Sequence, residues 1–236
     1  MSRLSERGSF AVPRILRMEN TPVHFDVFAA LLQALFRVHQ SHEALRRFAP
    51  MPPDLAAQPV EVVHKGATAL LQREGGFGSS ALADLQAAVV AAGQVAQWRE
   101  HYRAEEVGQD FLDRFGCYPI IGEGGPYSSA ALRAWIVYMP PHLYYPWHEH
   151  QAAELYLIIS GSAMFRKEGS ADVTLRSGDT VFHGRNQPHA TETGADPVLC
   201  LVLWRDDFEH APMLSDLAKL QKDAAQLALP RVLTAQ

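Results

Sequence analysis

Residues 145–161 read YPWHEHQAAELYLIISG, which sets His148, His150 and Glu154 at His-x-His-x3-Glu spacing, with Gly161 seven positions beyond the glutamate. A second stretch, 177–189, reads SGDTVFHGRNQPH and ends on His189, eleven residues after Gly178. Three neutral imidazoles and one carboxylate make a donor set for a divalent first-row metal, harder than a thiolate site and softer than an all-oxygen one. On a straight strand rising about 3.3 Å per residue, Glu154 would lie roughly 13 Å from His150, too far for one ion to touch both. The chain must therefore turn near Gln151–Ala153, and the spacing predicts a hairpin of strands 144–150 and 154–160 with the ligands facing each other. Residues two apart share a strand face. His148 then sides with His150, and Glu154 with Tyr156, while Leu155, Leu157 and Ile159 point to an opposite, apolar side.

From Cys117 onward, short β-branched and aromatic runs alternate with Gly, Pro, Asp and Asn turns. The runs are 118–121, 131–139, 144–150, 154–160, 163–167, 173–175, 180–183, 189–193 and 198–204. About nine short strands in about ninety residues imply a sandwich or barrel. The segments 167–170 and 176–179 are expected to be hairpin turns.

Ahead of this region the period changes to three and four. Phe25, Phe28, Leu31, Leu32, Leu35, Val38, Leu45 and Phe48 predict one amphipathic helix over 21–48, capped at Thr21–Pro22 and stopped by Pro50, Pro52 and Pro53. A shorter helix is expected over 60–71. A longer helical region follows over 81–115, capped at Ser79 or Ser80, broken near 103–108 and closed by Gly116 in a left-handed conformation. A last helix is expected over 212–229. His39 and His42 read as ordinary helix residues, and the Leu/Phe stripes as core or subunit contact.

The chain has 236 residues and a formal charge of −5 with no basic run, which argues against nucleic acid, whose phosphates demand clustered cations. Two cysteines far apart, Cys117 and Cys200, read as buried free thiols of a reducing compartment. Neither a signal-peptide pattern nor a run of about eighteen apolar residues is present. The expectation is a cytoplasmic protein without a membrane partner, and, from its apolar helical stripes, a homodimer.

The two stretches resemble the two sequence motifs of the cupin superfamily, with all four ligand positions matched. The chain departs from the motifs at three places: His142 where a glycine opens the first, Gly184-Arg185-Asn186 where the second has Pro-x-Gly, and Thr193 where it closes on Asn. These bear on loop shape. The expected fold is mainly β, a single cupin barrel (a double-stranded β-helix or jelly roll) over 117–210. It carries an N-terminal α-helical lobe over 1–116 and a C-terminal segment, 211–236, packing on the barrel.

Tyr145 before His148, Tyr156 after Glu154, and Trp204 fifteen residues after His189 extend the pattern. Over roughly residues 140–205 the constellation resembles the cupin-type dimethylsulfoniopropionate (DMSP) lyases. The resemblance implies β-elimination of DMSP to dimethyl sulfide and acrylate. His148, His150, Glu154 and His189 would hold one divalent ion (Mn²⁺, Fe²⁺ or Zn²⁺), Tyr156 would remove the Cα proton, and Tyr145 and Trp204 would shape the substrate pocket. The residues themselves are compatible with this chemistry. A sulfonium cannot take a hydrogen bond from an N–H donor and is better held on aromatic faces, each worth about 0.5–2 kcal/mol. The donor set also suits an Fe(II) dioxygenase or a non-catalytic metal- or ligand-binding cupin. His142 and His183 occupy no ligand position and read as exposed.

Overall fold

The computed structural model describes residues 24–74 and 81–216. Two helices, α1 (Phe25–Ser41) and α2 (Glu43–Phe48), stand where one is expected, because His42 is extended (φ −98°, ψ 113°). The His42 ring donates from Nε2 to the Gly178 carbonyl (3.1 Å), tying this corner to the second motif. After the short strand β1 (Ala56–Ala57), residues 60–65 are not helical as expected. Val63 instead bridges to Gln97, and helix α3 (Gly66–Glu74) begins only beyond it. Helix α4 (Ala83–Gly93) ends well before the expected break, since Trp98 and Arg99 use their N–H groups on Val63 and Cys117 rather than on a helical turn. The short helices α5 (Ala104–Val107) and α6 (Gln109–Arg114) follow, parted by Gly108 at φ 83°. The expected caps at Thr21 and at Ser79 or Ser80 lie outside the described residues.

Gly116 does not close a helix. It opens strand β2 (Gly116–Ile121), and glycine is needed there because a Cβ would overlap the Trp98 ring and the Ala67 methyl. Then come β3 (Tyr127–Ser128), β4 (Arg133–Met139), β5 (Tyr144–Glu149), β6 (Ala153–Lys167), β7 (Val173–Arg176), β8 (Thr180–His183), β9 (His189–Glu192), β10 (Val198–Arg205) and β11 (Met213–Leu214). The expected runs 154–160 and 163–167 are one strand, β6, passing through Gly161 at φ 75°, where a Cβ would overlap the Pro197 carbonyl. Strand β11 replaces the start of the expected C-terminal helix. The free edge of β5 takes it up, and Ser215 N–H donates to the Trp147 carbonyl (2.9 Å). The rest of that helix falls outside the described residues.

Strand β6 belongs to two sheets. Its first half pairs with β10 and β8, its second with β7 and β9. Strand β5 pairs with β9 and β11, so the expected 144–150/154–160 hairpin is not formed: these strands face each other across the interior. The fold is the mainly β cupin architecture expected, with pairing that runs as an open path from β1 to β11. Where the motifs depart, the backbone is kept. His142 (φ 56°) and Asn186 (φ 51°) take the left-handed conformation that glycine adopts freely. Thr193 Oγ1 accepts from Leu143 N–H and donates to the Pro140 carbonyl.

Alternation along β6 divides the core. Leu155, Leu157 and Ile159 face outward into a cluster with Leu31, Leu35, Leu71, Leu85 and Val89 of the helices. Tyr156, Ile158 and Phe165 face inward with Tyr145, Val202 and Trp204. Each fully buried Leu or Ile contributes about 1.5–3 kcal/mol, so the helices act as a lid on the outer sheet face and leave the interior for the site. Among the described residues no helix is long and apolar enough to cross a membrane.

Candidate active site

Four of the buried polar side chains inside the sheets are the histidines and glutamate of the two motifs, all at most 4% exposed: His148, His150, Glu154 and His189. Three ring nitrogens are committed in the same way. His148 Nδ1 lies 2.8 Å from the Pro146 carbonyl, His150 Nδ1 2.9 Å from that of Ala152, and His189 Nδ1 2.8 Å from that of Gln187. A carbonyl only accepts, so each Nδ1 must carry the proton and each Nε2 presents a lone pair. The Nε2 atoms of His150 and His189 are buried without a hydrogen-bond partner. They lie 3.4 Å and 3.2 Å from the two Glu154 oxygens.

Atoms of His150, Glu154 and His189 fall within 4.8 Å of one another, a group that fits a metal ion. Two otherwise orphaned imidazole lone pairs aimed at one carboxylate are what such an ion would satisfy. His148 stands one step outside, its ring 4.1 Å from that of His189 and 6.4 Å from that of His150.

The local backbone explains how both His148 and Tyr145 point inward though three residues apart. The β5–β9 register shifts between them, a bulge that accommodates Pro146 and reverses the alternation. Tyr145 then stacks on His148 at 3.9 Å and shares a hydrogen bond with the Tyr102 hydroxyl (2.9 Å). Trp204, directly opposite Glu154 in the β10–β6 pairing, does more than wall the pocket: its Nε1–H donates to Glu154 Oε1 at 2.6 Å. Tyr156 lines the same cavity, about 410 Å³ including its open mouth, with His148, His150, Glu154, Tyr145 and Trp204.

Electrostatics follow burial. His148 is pushed well below its usual value by desolvation and then by neighbouring His189. Burial opposes protonation of His150, but the adjacent Glu154 charge more than offsets it and raises this histidine. Burial alone would raise Glu154, yet His150, His183 and His189 hold it well below the carboxylate range. The Tyr156 phenol is driven well above 10, first by burial and then by the Glu154 charge. Without a cation beside it, Tyr156 stays protonated.

His183, expected to be exposed, is 1% exposed and donates from Nδ1 to Glu154 Oε2 at 2.8 Å. The alternation of β8 carried the signal, since Val181 and His183 share its buried face while Phe182 is exposed. His142 is exposed, as expected. His101, Phe115, Cys117 and Trp135 also line the cavity, and no motif pointed to them.

Known proteins match this combination. The sequence profile of the dimethylsulfoniopropionate lyase family matches residues 57–200. The chain is 45% identical over 198 residues to dimethylsulfoniopropionate lyase DddQ of Ruegeria pomeroyi, covering 84% of this chain and 97% of that one. The crystal structure of that DddQ superposes with a TM-score of 0.79 over 80% of this chain and 96% of the other. A second structure, from work on the DMSP lyases RdDddP and RnDddQII, is 36% identical, with a TM-score of 0.80 over 82% of this chain and 100% of its own. With the profile spanning most of the sheet and both motifs, and the relatives matched end to end, the chain belongs to the dimethylsulfoniopropionate lyase family.

Proposed function

We propose that this site cleaves DMSP by β-elimination to dimethyl sulfide and acrylate, with Tyr156 as the base. The observation that carries the reading is the position of Tyr156 two residues beyond Glu154 on the inward face of β6, lining the same cavity as the histidines. His150, Glu154 and His189 would hold the ion, and His148, whose ring lies 4.1 Å from that of His189, would be the fourth donor. When bound, a divalent ion supplies the positive charge that draws electron density from the substrate carboxylate and favours the phenolate of Tyr156.

The chain's own groups do the rest. Tyr156 takes the Cα proton, the Cα–H pair becomes the Cα–Cβ double bond, and the Cβ–S pair leaves with sulfur as a neutral sulfide. No acid is needed for that leaving group. Tyr145 and Trp204 offer aromatic faces to the sulfonium, and the Tyr102–Tyr145 hydrogen bond holds the first of these rings in place. The apolar wall of Val137, Val202 and Phe115 excludes water from the developing charge.

Two imidazoles and a carboxylate also suit oxygen-activating iron, so the test is made without O₂. The metal-reconstituted protein is incubated anaerobically with DMSP while acrylate and dimethyl sulfide are followed together. Equal yields, abolished by a chelator, are the expected result. Absence of both products with every candidate divalent metal overturns the reading.

A further inference from the structure

Strand β8 runs antiparallel to β6 with His183 directly opposite Glu154. The His183 ring is buried, stacks on His189 (4.0 Å, 16° between planes) and meets the Tyr156 ring edge-on at 5.5 Å. Its Nδ1–H is spent on Glu154 Oε2, and its Nε2 is buried without a partner, outside the group of atoms that fits a metal ion. A buried nitrogen left unsatisfied is destabilising. Filling space would not require that cost: Val181 occupies the same buried face of the same strand.

We propose that His183 is a positioning residue that holds Glu154 and His189 in their ligating arrangement. Its hydrogen bond takes one lone pair of Oε2, so that the carboxylate plane is set with Oε2 facing His189 Nε2 at 3.2 Å. Its stacking fixes the tilt of the His189 ring. One residue thereby orients two donors and backs the ring of Tyr156. The inference rests on the reading that His150, Glu154 and His189 bind a divalent ion.

The test is metal binding by the full-length protein, read as Zn²⁺ affinity in competition with a chromophoric chelator and as the visible spectrum of bound Co²⁺. His183→Phe keeps a ring against His189 and removes the donor. It is expected to weaken Zn²⁺ binding about 10–100-fold and to shift the Co²⁺ bands. In His183→Asn the amide nitrogen reaches the place of Nδ1, so most of the affinity and the native spectrum return. His183→Gln places its amide one bond too far and behaves like the Phe variant.

Affinity within about twofold of wild type, with unchanged Co²⁺ bands, in the Phe variant overturns the proposal, well below the loss that such supporting groups ordinarily cause. If the Phe chain does not fold, equal affinities for the Asn and Gln variants overturn it instead. A wild-type protein that binds Zn²⁺ no better than His150→Ala refutes the metal site itself, and the proposal with it.

Discussion

Replacing Trp204 by Phe or by Ala separates two tasks that the structure assigns to one side chain. Its indole N–H donates to Glu154 Oε1 at 2.6 Å, and its ring lies 4.4 Å from that of His150 and 6.2 Å from that of Trp135. Glu154 is 2% exposed, so no bulk water replaces a lost donor. A hydrogen bond to a charged group is worth about 1.5–3 kcal/mol. At 1.4 kcal/mol per factor of ten, Trp204→Phe is expected to weaken metal binding roughly 10- to 150-fold. The phenyl ring still offers a face to the sulfonium, so KM at saturating metal should rise less than about fivefold, the equivalent of under 1 kcal/mol of cation–π energy. Trp204→Ala loses both, raising KM further on top of the weaker metal binding. The assay pairs chelator-competition measurements of metal affinity with DMSP titrations at saturating metal. A Phe variant with wild-type metal affinity and a strongly raised KM would refute this division and leave Trp204 as a cation wall alone.

Tyr156→Phe should keep its metal within measurement error and lose about 10²–10⁴-fold in kcat, the usual contribution of a positioned base; near-normal turnover would remove Tyr156 from that role. His150→Ala should lose both metal, by elemental analysis, and activity, and full metal occupancy would contradict its placement beside Glu154. Burial pushes the Cys117 thiol up to about 12 and Cys200 higher still, so both remain protonated at pH 8. A thiol at about 12 is about 10⁻⁴ ionised at that pH, against roughly a quarter for a free cysteine. A disulfide reagent should therefore find both thiols on unfolding and almost none in the native protein, with reactivity climbing as pH rises; a fast-reacting native thiol would refute the claim that burial keeps both protonated.

The strands and the clustering of candidate donor residues were legible because side-chain period and donor chemistry act over a few residues. His150, Glu154 and His189 converge as their spacing required, and Tyr156 follows on the same face. What the sequence hid was pairing. A turn at Gln151–Ala153 is consistent with a hairpin, but β5 finds its partners in β9 and β11, because the donors converge across the cavity between sheets rather than along one sheet. The bulge at Pro146 was hidden too. Period-two reading sets Tyr145 and His148 on opposite faces, and only the register shift brings both inside. Helix ends failed where a long-range partner captured the backbone, as Gln97 captures Val63 and Cys117 captures Arg99. His183 was misjudged because its reason for burial is Glu154, twenty-nine residues away in sequence.

The helical lobe bears on the site through the same alternation that builds the sheets. A strand interior holding a charged carboxylate and several imidazoles contributes little hydrophobic stabilisation at that point and carries a desolvation cost. On β6 the residues that bear it, Glu154 and Tyr156, alternate with Leu155, Leu157 and Ile159, whose outward faces are covered by α1, α3 and α4. Each polar inward residue thus has an apolar neighbour buried on the other face of the same strand. The helices also reach the cavity directly: Tyr102, just ahead of α5, carries the hydroxyl that pins Tyr145, while Phe115, just after α6, packs on the same ring at 4.7 Å. A sheet stripped of the lobe would lose both the outer cover of β6 and one wall of the pocket. The described helices are therefore part of the packing around the candidate site, and changes to their core should be read first as changes in how firmly Tyr145 and Glu154 are held.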